Sequence, residues 1–347
     1  MNRLDKLYEL IGRLDVEGII ITNYSNIFYF SKFTSDDCIL YINRSNAYLI
    51  TDSRYTLQAK RQAKGFKVII RKGGYAGELN KLVKGGKVLF EESMSYERYS
   101  AFNNTIDATL TAINIDYLRN IKDIQEINRI KKATKIADKC YKHILAFVRP
   151  GMKEITIANE MIRYMKELGA SKESFDTIVA SGKRGALPHG VASNKIIKSG
   201  DFVTLDFGCV YRGYCSDITR SFMVGKASKE MIKIYKIVKQ AQINAIKSIK
   251  AGMKASDVDK VARDYIESKG YGKYFTHSTG HGLGIEVHDP ISVSKYSDMI
   301  LEENMVITVE PGIYIPELGG IRIEDDVLVK NDGYEVLTKA SKKLIST

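Results

Sequence analysis

Cysteine is scarce in this chain. Cys38, Cys140, Cys209 and Cys215 are irregularly spaced among 347 residues, and no Cys-x-x-Cys occurs. That argues against a disulfide framework and suits a reducing compartment. Long apolar runs are missing too: nothing approaches the roughly 18 residues of a membrane span. The opening Met1-Asn2-Arg3-Leu4-Asp5-Lys6 is charged from the outset, with no apolar signal core behind it. A cytoplasmic protein with no membrane partner is expected. A concentrated basic stripe is also lacking, although the net charge is +12. Pairs such as Lys131-Lys132 and Lys342-Lys343 are scattered among acids, which reads as a solvated basic surface; a nucleic-acid partner is not expected.

What is present is ordinary globular material, 44% hydrophobic and 27% charged, in a length that suggests two domains. The first reads as a small α/β unit. Leu4, Leu7, Leu10 and Ile11 have helical spacing, and Gly18 to Thr22 reads as a buried strand. Cys38 to Ile42 and Ala47 to Ile50 flank the polar turn Asn43 to Asn46, a hairpin signal. Lys87 to Phe90 reads as a further strand. A helix is predicted from near Asp123, with Ile124, Ile127, Ile130, Ala133 and Ile136 as its apolar stripe. The boundary is placed before it, giving domains 1–121 and 122–347.

The second domain carries a faint internal repeat. Pro150-Gly151-Met152-Lys153 and Ala251-Gly252-Met253-Lys254 each open a helical stretch, which ends at Gly169 or Gly270. Both glycine pairs lie 101 positions apart. Thr204-Leu205-Asp206-Phe207-Gly208 matches Thr308-Val309-Glu310-Pro311-Gly312 at an offset of 104. Two related halves are implied, each giving a carboxylate from an equivalent strand.

Five candidate metal ligands stand in order through these halves: Asp206, Asp217, His281, Glu310 and Glu324. With Tyr211-Arg212 as a two-residue turn, Asp206 would face Asp217 directly, their Cβ atoms about 5 Å apart. Two bare carboxylates that close repel unless a cation sits between them. Glu310 ends an apolar strand, where an acid is poorly placed for solvent. Alternation puts Arg322 and Glu324 on one strand face, with Ile321 and Ile323 on the other; alone, that pair could be an exposed ion pair. His281 lies in the glycine-rich stretch His277 to Gly284. His189, His277, His281 and His288 cluster among the acids, whereas His143 reads as structural. Four carboxylates and one imidazole suit Mn²⁺, Fe²⁺, Co²⁺ or Zn²⁺ and would neutralise two divalent ions. Such a pair can activate a water and clamp a carbonyl.

At these residues the chain resembles the pita-bread (creatinase/aminopeptidase) metallopeptidases, and within them the Xaa-Pro branch of aminopeptidase P and prolidase. The resemblance runs through Ala186-Leu187-Pro188-His189-Gly190, Leu205 to Gly208, Ser216 to Arg220, His277 to Gly284, Val287-His288-Asp289, Glu310 to Tyr314 and Gly320 to Asp325. Thr51 to Tyr55 resembles the creatinase-type first domain of that branch. It implies an α+β protein: a pita-bread catalytic domain with an internal pseudo-two-fold repeat, preceded by a smaller creatinase-type α/β domain. It implies two divalent metal ions, manganese foremost. Asp206 would chelate one, His281 would bind the other, and Asp217 and Glu324 would bridge both. Glu310 would bind metal and move the proton of the attacking water. His189 and His288 would flank the substrate carbonyl. His277 and Arg322 would touch substrate or support the ligands. The implied reaction is exopeptidase cleavage between an N-terminal residue and a following proline, by metal-activated hydroxide, with proline-containing peptides as substrates and a homodimer as the assembly. Dipeptidase and aminopeptidase stay open, because the loops that separate them are not legible. The alternative from another class is an inactive pita-bread module that binds a protein or nucleic acid; five intact ligand positions argue against it.

Overall fold

The structure is a computed structural model that describes residues 3–347. Two compact units divide it, one ending at Leu118 and the other running from Arg119 to Thr347.

In the first unit Leu4, Leu7, Leu10 and Ile11 are the buried face of the helix Arg3–Arg13, as their spacing requires. Its mixed six-stranded sheet runs in the order Lys67–Ile70, Ala47–Thr51, Cys38–Asn43, Gly18–Ile21, Lys87–Glu91 and Thr109–Ile113. The hairpin read from the sequence is there, with Cys38 opposite Thr51 and Ile42 opposite Ala47.

The second unit opens with the helix Ile124–Phe147. Asp123 caps it, accepting from the Glu126 N–H while Glu126 reaches back to the Asp123 N–H; this reciprocal cap satisfies two otherwise orphaned donors. Ile127, Ile130, Ala133 and Ile136 are buried, but Ile124 is 68% exposed. The stripe therefore begins one turn later than the sequence suggested, because a residue in the first helical turn projects past the packing partner.

The two halves are built alike. The helices Ile124–Phe147 and Glu154–Glu167 serve the first, and Lys229–Ser248 and Ala255–Ser268 the second. Before each second helix the same hydrogen bonds recur. The Gly151 N–H reaches the Ile197 carbonyl at 2.8 Å, and that of Gly252 the Leu301 carbonyl at 2.8 Å. The Ile197 N–H returns to Met152, and the Leu301 N–H to Met253, each at 2.8 Å. Gly151, at φ 92°, and Gly252, at φ 84°, take the left-handed conformation that favours glycine. Two apolar clusters follow the halves, one around Ile144, Leu205 and Phe222, the other around Val238, Ile307 and Ile323.

Candidate metal centre

In the first half the strand Phe202–Phe207 pairs antiparallel with Ile218–Met223, and Asp206 faces Thr219. Asp217 is therefore not directly opposite Asp206. The turn is Arg212-Gly213, one residue later than expected. Arg212, at φ 48°, and Gly213, at φ 82°, both take positive φ, the requirement of a tight hairpin whose twist matches its strands. Placing glycine in the turn shifts the register. Asp206 and Asp217 become diagonal neighbours on one face, about 7–8 Å apart. At Gly208 a Cβ would lie 1.8 Å from the Ser216 carbonyl oxygen, so the crossing opposite Asp217 has room only for glycine.

In the second half Val309 faces Asp325 and Gly312 faces Arg322. The register is the same on both sides, which sets Glu310 against Glu324. His281 lies in the short strand Gly280–Gly282, bonded to Val306–Val309 on one side and Asp289–Val293 on the other. A Cβ at Gly280 would meet the Thr308 carbonyl at 1.9 Å; the backbone that carries His281 is pressed against its neighbour.

All five predicted ligands line one cavity of about 460 Å³, together with His189, His277, His288 and Arg322. Arg322 and Glu324 are 3% and 1% exposed, so they are not an ion pair on an open face. One ligand atom each from Asp217, His281 and Glu324 fall within 4.8 Å of one another. His281 Nε2 lies 3.6 Å from Asp217 Oδ2 and 3.4 Å from Glu310 Oε1. Its Nδ1 is 3.0 Å from the Gly282 carbonyl, an acceptor, so Nδ1 carries the proton. Burial lowers the His281 pKa to about 4, which leaves Nε2 as a bare lone pair facing carboxylates. Asp206 Oδ1, Asp217 Oδ1 and Glu324 Oε1 are buried with no hydrogen-bond partner. Lone pairs crowded together without donors are costly unless a cation accepts them. The donor set therefore fits divalent ions of the oxygen- and imidazole-binding kind.

The titrations record the same crowding. Burial, then the charges of Glu324, Asp206 and Glu310, raises Asp217 well above the carboxylate range. Burial, then Glu310 and Asp206, does so for Glu324. Glu310 is pushed up to about 8 by burial, with Arg322 pulling the other way.

Around the acids runs a directed hydrogen-bond chain. His277 Nδ1 donates to the Ser278 carbonyl at 2.7 Å, so Nε2 accepts from the Tyr314 hydroxyl at 2.8 Å. Arg322 Nη1 donates to the Tyr314 oxygen at 2.6 Å and to the Pro188 carbonyl at 3.1 Å. Its Nη2 binds Asp206 Oδ2, and its Nε donates to Thr219 Oγ1 at 3.1 Å. Burial first, and Arg322 second, hold the His277 pKa near 4, so this ring is neutral. Tyr314 and Thr219 carry contacts that the sequence did not signal; both lie inside motifs that carry the resemblance, Glu310 to Tyr314 and Ser216 to Arg220, which gave their hydroxyls no partner. His288 packs against His281 with ring centroids 4.3 Å apart. His189 lines the cavity from an exposed segment. His143 stacks on Tyr164 at 4.0 Å and bonds Glu160 at 2.6 Å, a structural place as expected.

The comparisons with known proteins agree with this geometry. Residues 128–331 match Metallopeptidase family M24, and residues 3–121 match the Creatinase/Prolidase N-terminal domain. The chain is 39% identical to a Xaa-Pro dipeptidase of Pyrococcus furiosus over 99% of each chain. A Xaa-Pro dipeptidase from Bacillus anthracis superposes with TM-score 0.97 at 45% identity, over 99% of each chain. An X-Pro aminopeptidase from Thermotoga maritima gives 0.93 at 38% identity, over 100% of each. With this match and this donor set, the chain belongs to metallopeptidase family M24, built as a Creatinase/Prolidase N-terminal domain followed by the catalytic domain.

Proposed function

We propose that the protein hydrolyses the peptide bond between an N-terminal residue and a following proline, using two divalent ions, manganese foremost, held by Asp206, Asp217, His281, Glu310 and Glu324. The observation that carries this reading is the unprotonated His281 Nε2 facing two carboxylates in the cavity lined by all five. Relatives named Xaa-Pro dipeptidase and X-Pro aminopeptidase support the substrate class.

When bound, the ions would polarise the scissile carbonyl and lower the pKa of the attacking water. The protein's own groups do the rest. Glu310, a half-buried carboxylate at the cavity wall, takes the proton of the water and passes it to the proline nitrogen as the bond breaks. His189 and His288 stand at the cavity wall, where an N–H can stabilise the carbonyl oxygen as it gains charge. Arg322 binds Asp206 and so fixes one of its oxygens, leaving the other for metal. His277 and Tyr314 hold Arg322 from the other side. The domain division at residues 121 and 122 belongs to this reading, supported by the match that ends at residue 121. So do a cytoplasmic location and a homodimer. The four cysteines are free and buried, and no helix among the described residues is long and apolar enough to cross a membrane.

The experiment compares an Xaa-Pro dipeptide with an Xaa-Pro tripeptide, each with and without Mn²⁺ after chelation. Metal-dependent cleavage of the dipeptide alone means a dipeptidase, and cleavage of the tripeptide an aminopeptidase. Cleavage of neither by loaded protein rejects the Xaa-Pro assignment.

A further inference from the structure

His189, itself exposed, belongs to the segment Gly182 to Ala192, in which Leu187 and Val191 are 53% and 47% exposed. Little apolar burial holds such a segment, so something else must fix it if His189 is to meet a reacting carbonyl. Arg322 holds the Pro188 carbonyl beside His189, Val191 bridges to Ile178, and one buried carboxylate closes the two stems. Glu154, the first residue of the helix Glu154–Glu167, is 0% exposed and takes no part in the cavity lining. Its Oε1 accepts from the Ser181 N–H at 2.8 Å and the Ser181 hydroxyl at 2.7 Å. Its Oε2 accepts from the Ser193 N–H at 3.2 Å, the Ser193 hydroxyl at 2.6 Å, and Arg184 Nη1. Ser181 and Ser193 are the two stems of the segment and Arg184 lies within it. From there Arg184 Nη2 reaches forward to the Val191 carbonyl at 3.0 Å.

We infer that Glu154 is a positioning residue for His189: one buried carboxylate closes the segment at both stems and sets the histidine against the cavity. The inference rests on the proposed function, in which His189 meets the substrate carbonyl. Five donors on one carboxylate use both oxygens fully, and all are lost or strained by small changes. An amide at this place keeps one acceptor oxygen and turns its two N–H donors towards groups that also donate. A carboxylate one methylene shorter cannot span both serines. The ligand candidates sit on other elements, so their metal affinity should not follow the segment. The corresponding position in the second half is Ala255, whose N–H bonds Met299 just as the Glu154 N–H bonds Lys195. The carboxylate is therefore an addition to the repeat, not a need of the fold both halves share.

The test uses the full-length, metal-loaded protein. Glu154→Gln should lower kcat/KM on an Xaa-Pro dipeptide on the order of 10²-fold, the scale of a reacting group misplaced by about 1 Å. Calorimetric Mn²⁺ affinity should stay at the wild-type value. Combined with His189→Ala, the loss should be no greater than that of His189→Ala alone, since both changes remove one function. Trypsin gives a reading independent of catalysis: cleavage after Lys183 or Arg184 should be faster in Glu154→Gln than in wild type. Ser193→Ala, a milder change, should lower kcat/KM and speed trypsin cleavage in the same direction while Mn²⁺ affinity again stays unchanged, and so decides the matter if Glu154→Gln does not fold. Losses that add to those of His189→Ala, a fall in metal affinity, or unchanged trypsin cleavage would overturn the inference. Wild-type protein inactive on every Xaa-Pro peptide would instead reject the proposed function, and the trypsin comparison would still judge the anchoring.

Discussion

Thr219 stands in the first half where Glu324 stands in the second, and its Oγ1 donates a 2.7 Å hydrogen bond to Glu324 Oε2. Asp206 faces Thr219 across its ladder, and the matching register sets Glu310 against Glu324. The repeat thus supplies equivalent strands with unequal side chains: a carboxylate pair in one half, a carboxylate and a hydroxyl in the other. The hydroxyl fixes one oxygen of Glu324 and leaves Oε1 without a partner. Thr219→Val keeps the shape and removes the donor. Metal affinity should fall roughly 10–100-fold, the usual cost of losing a group that orients a ligand, as read by calorimetry on chelated protein. Unchanged affinity would remove Thr219 from that role.

Tyr314→Phe deletes the one atom that bridges His277 and Arg322. Arg322 is buried and His277 half-buried, and each loses a well-placed bond. Stability should drop about 1–3 kcal/mol, measured by denaturant unfolding, and kcat should fall while Mn²⁺ binding persists. A variant as stable and as active as wild type would show that the chain of bonds has no consequence.

Gly208→Ala tests the close crossing beside Asp217. Its Cβ would meet the Ser216 carbonyl carbon at 2.7 Å as well as the oxygen at 1.8 Å, and backbone cannot swing aside as a side chain can. We expect a loss of roughly 3 kcal/mol or more, in the range of the larger single-site effects, with weaker metal uptake. Wild-type stability would mean that the two strands separate freely.

In the metal-free protein the pH dependence has a definite sign. The Glu310 pKa rises from 4.5 to about 8 on folding, and Asp217 and Glu324 move in the same direction. An acid raised in the folded state binds more protons there, so its stabilisation is complete below its unfolded pKa and is lost as pH rises through the folded one. His277 and His281, lowered from 6.5 to about 4, work oppositely, but only below pH 6.5. Between pH 6.5 and 8 the Tm of chelated protein should therefore fall. Manganese should abolish that slope and release protons on binding. A rising Tm over this window would contradict the assignment of these acids.

Part of the site was legible because Asp206 and Glu310 end apolar strand runs two residues before a glycine, where a carboxylate has no structural use. The register was less so. A turn at Tyr211-Arg212 or at Arg212-Gly213 leaves the strand pattern the same, and only the demand for positive φ selects the second. Glu154 was invisible for another reason. Its partners Ser181 and Ser193 lie 27 and 39 positions away, and no periodicity announces a buried acid that serves a distant loop. Tyr314 likewise sat inside a motif without revealing that its hydroxyl would join a histidine to an arginine.

The most direct test of the account returns Mn²⁺ stepwise to chelated protein while following hydrolysis of an Xaa-Pro dipeptide, in wild type and in Glu310→Ala. Activity should grow with metal and saturate near two ions per chain. Glu310→Ala should fold, with kcat lower by about 10²–10⁴-fold, the contribution of a positioned proton-transfer group. Full turnover in the chelated protein, or in Glu310→Ala, would contradict the proposed mechanism.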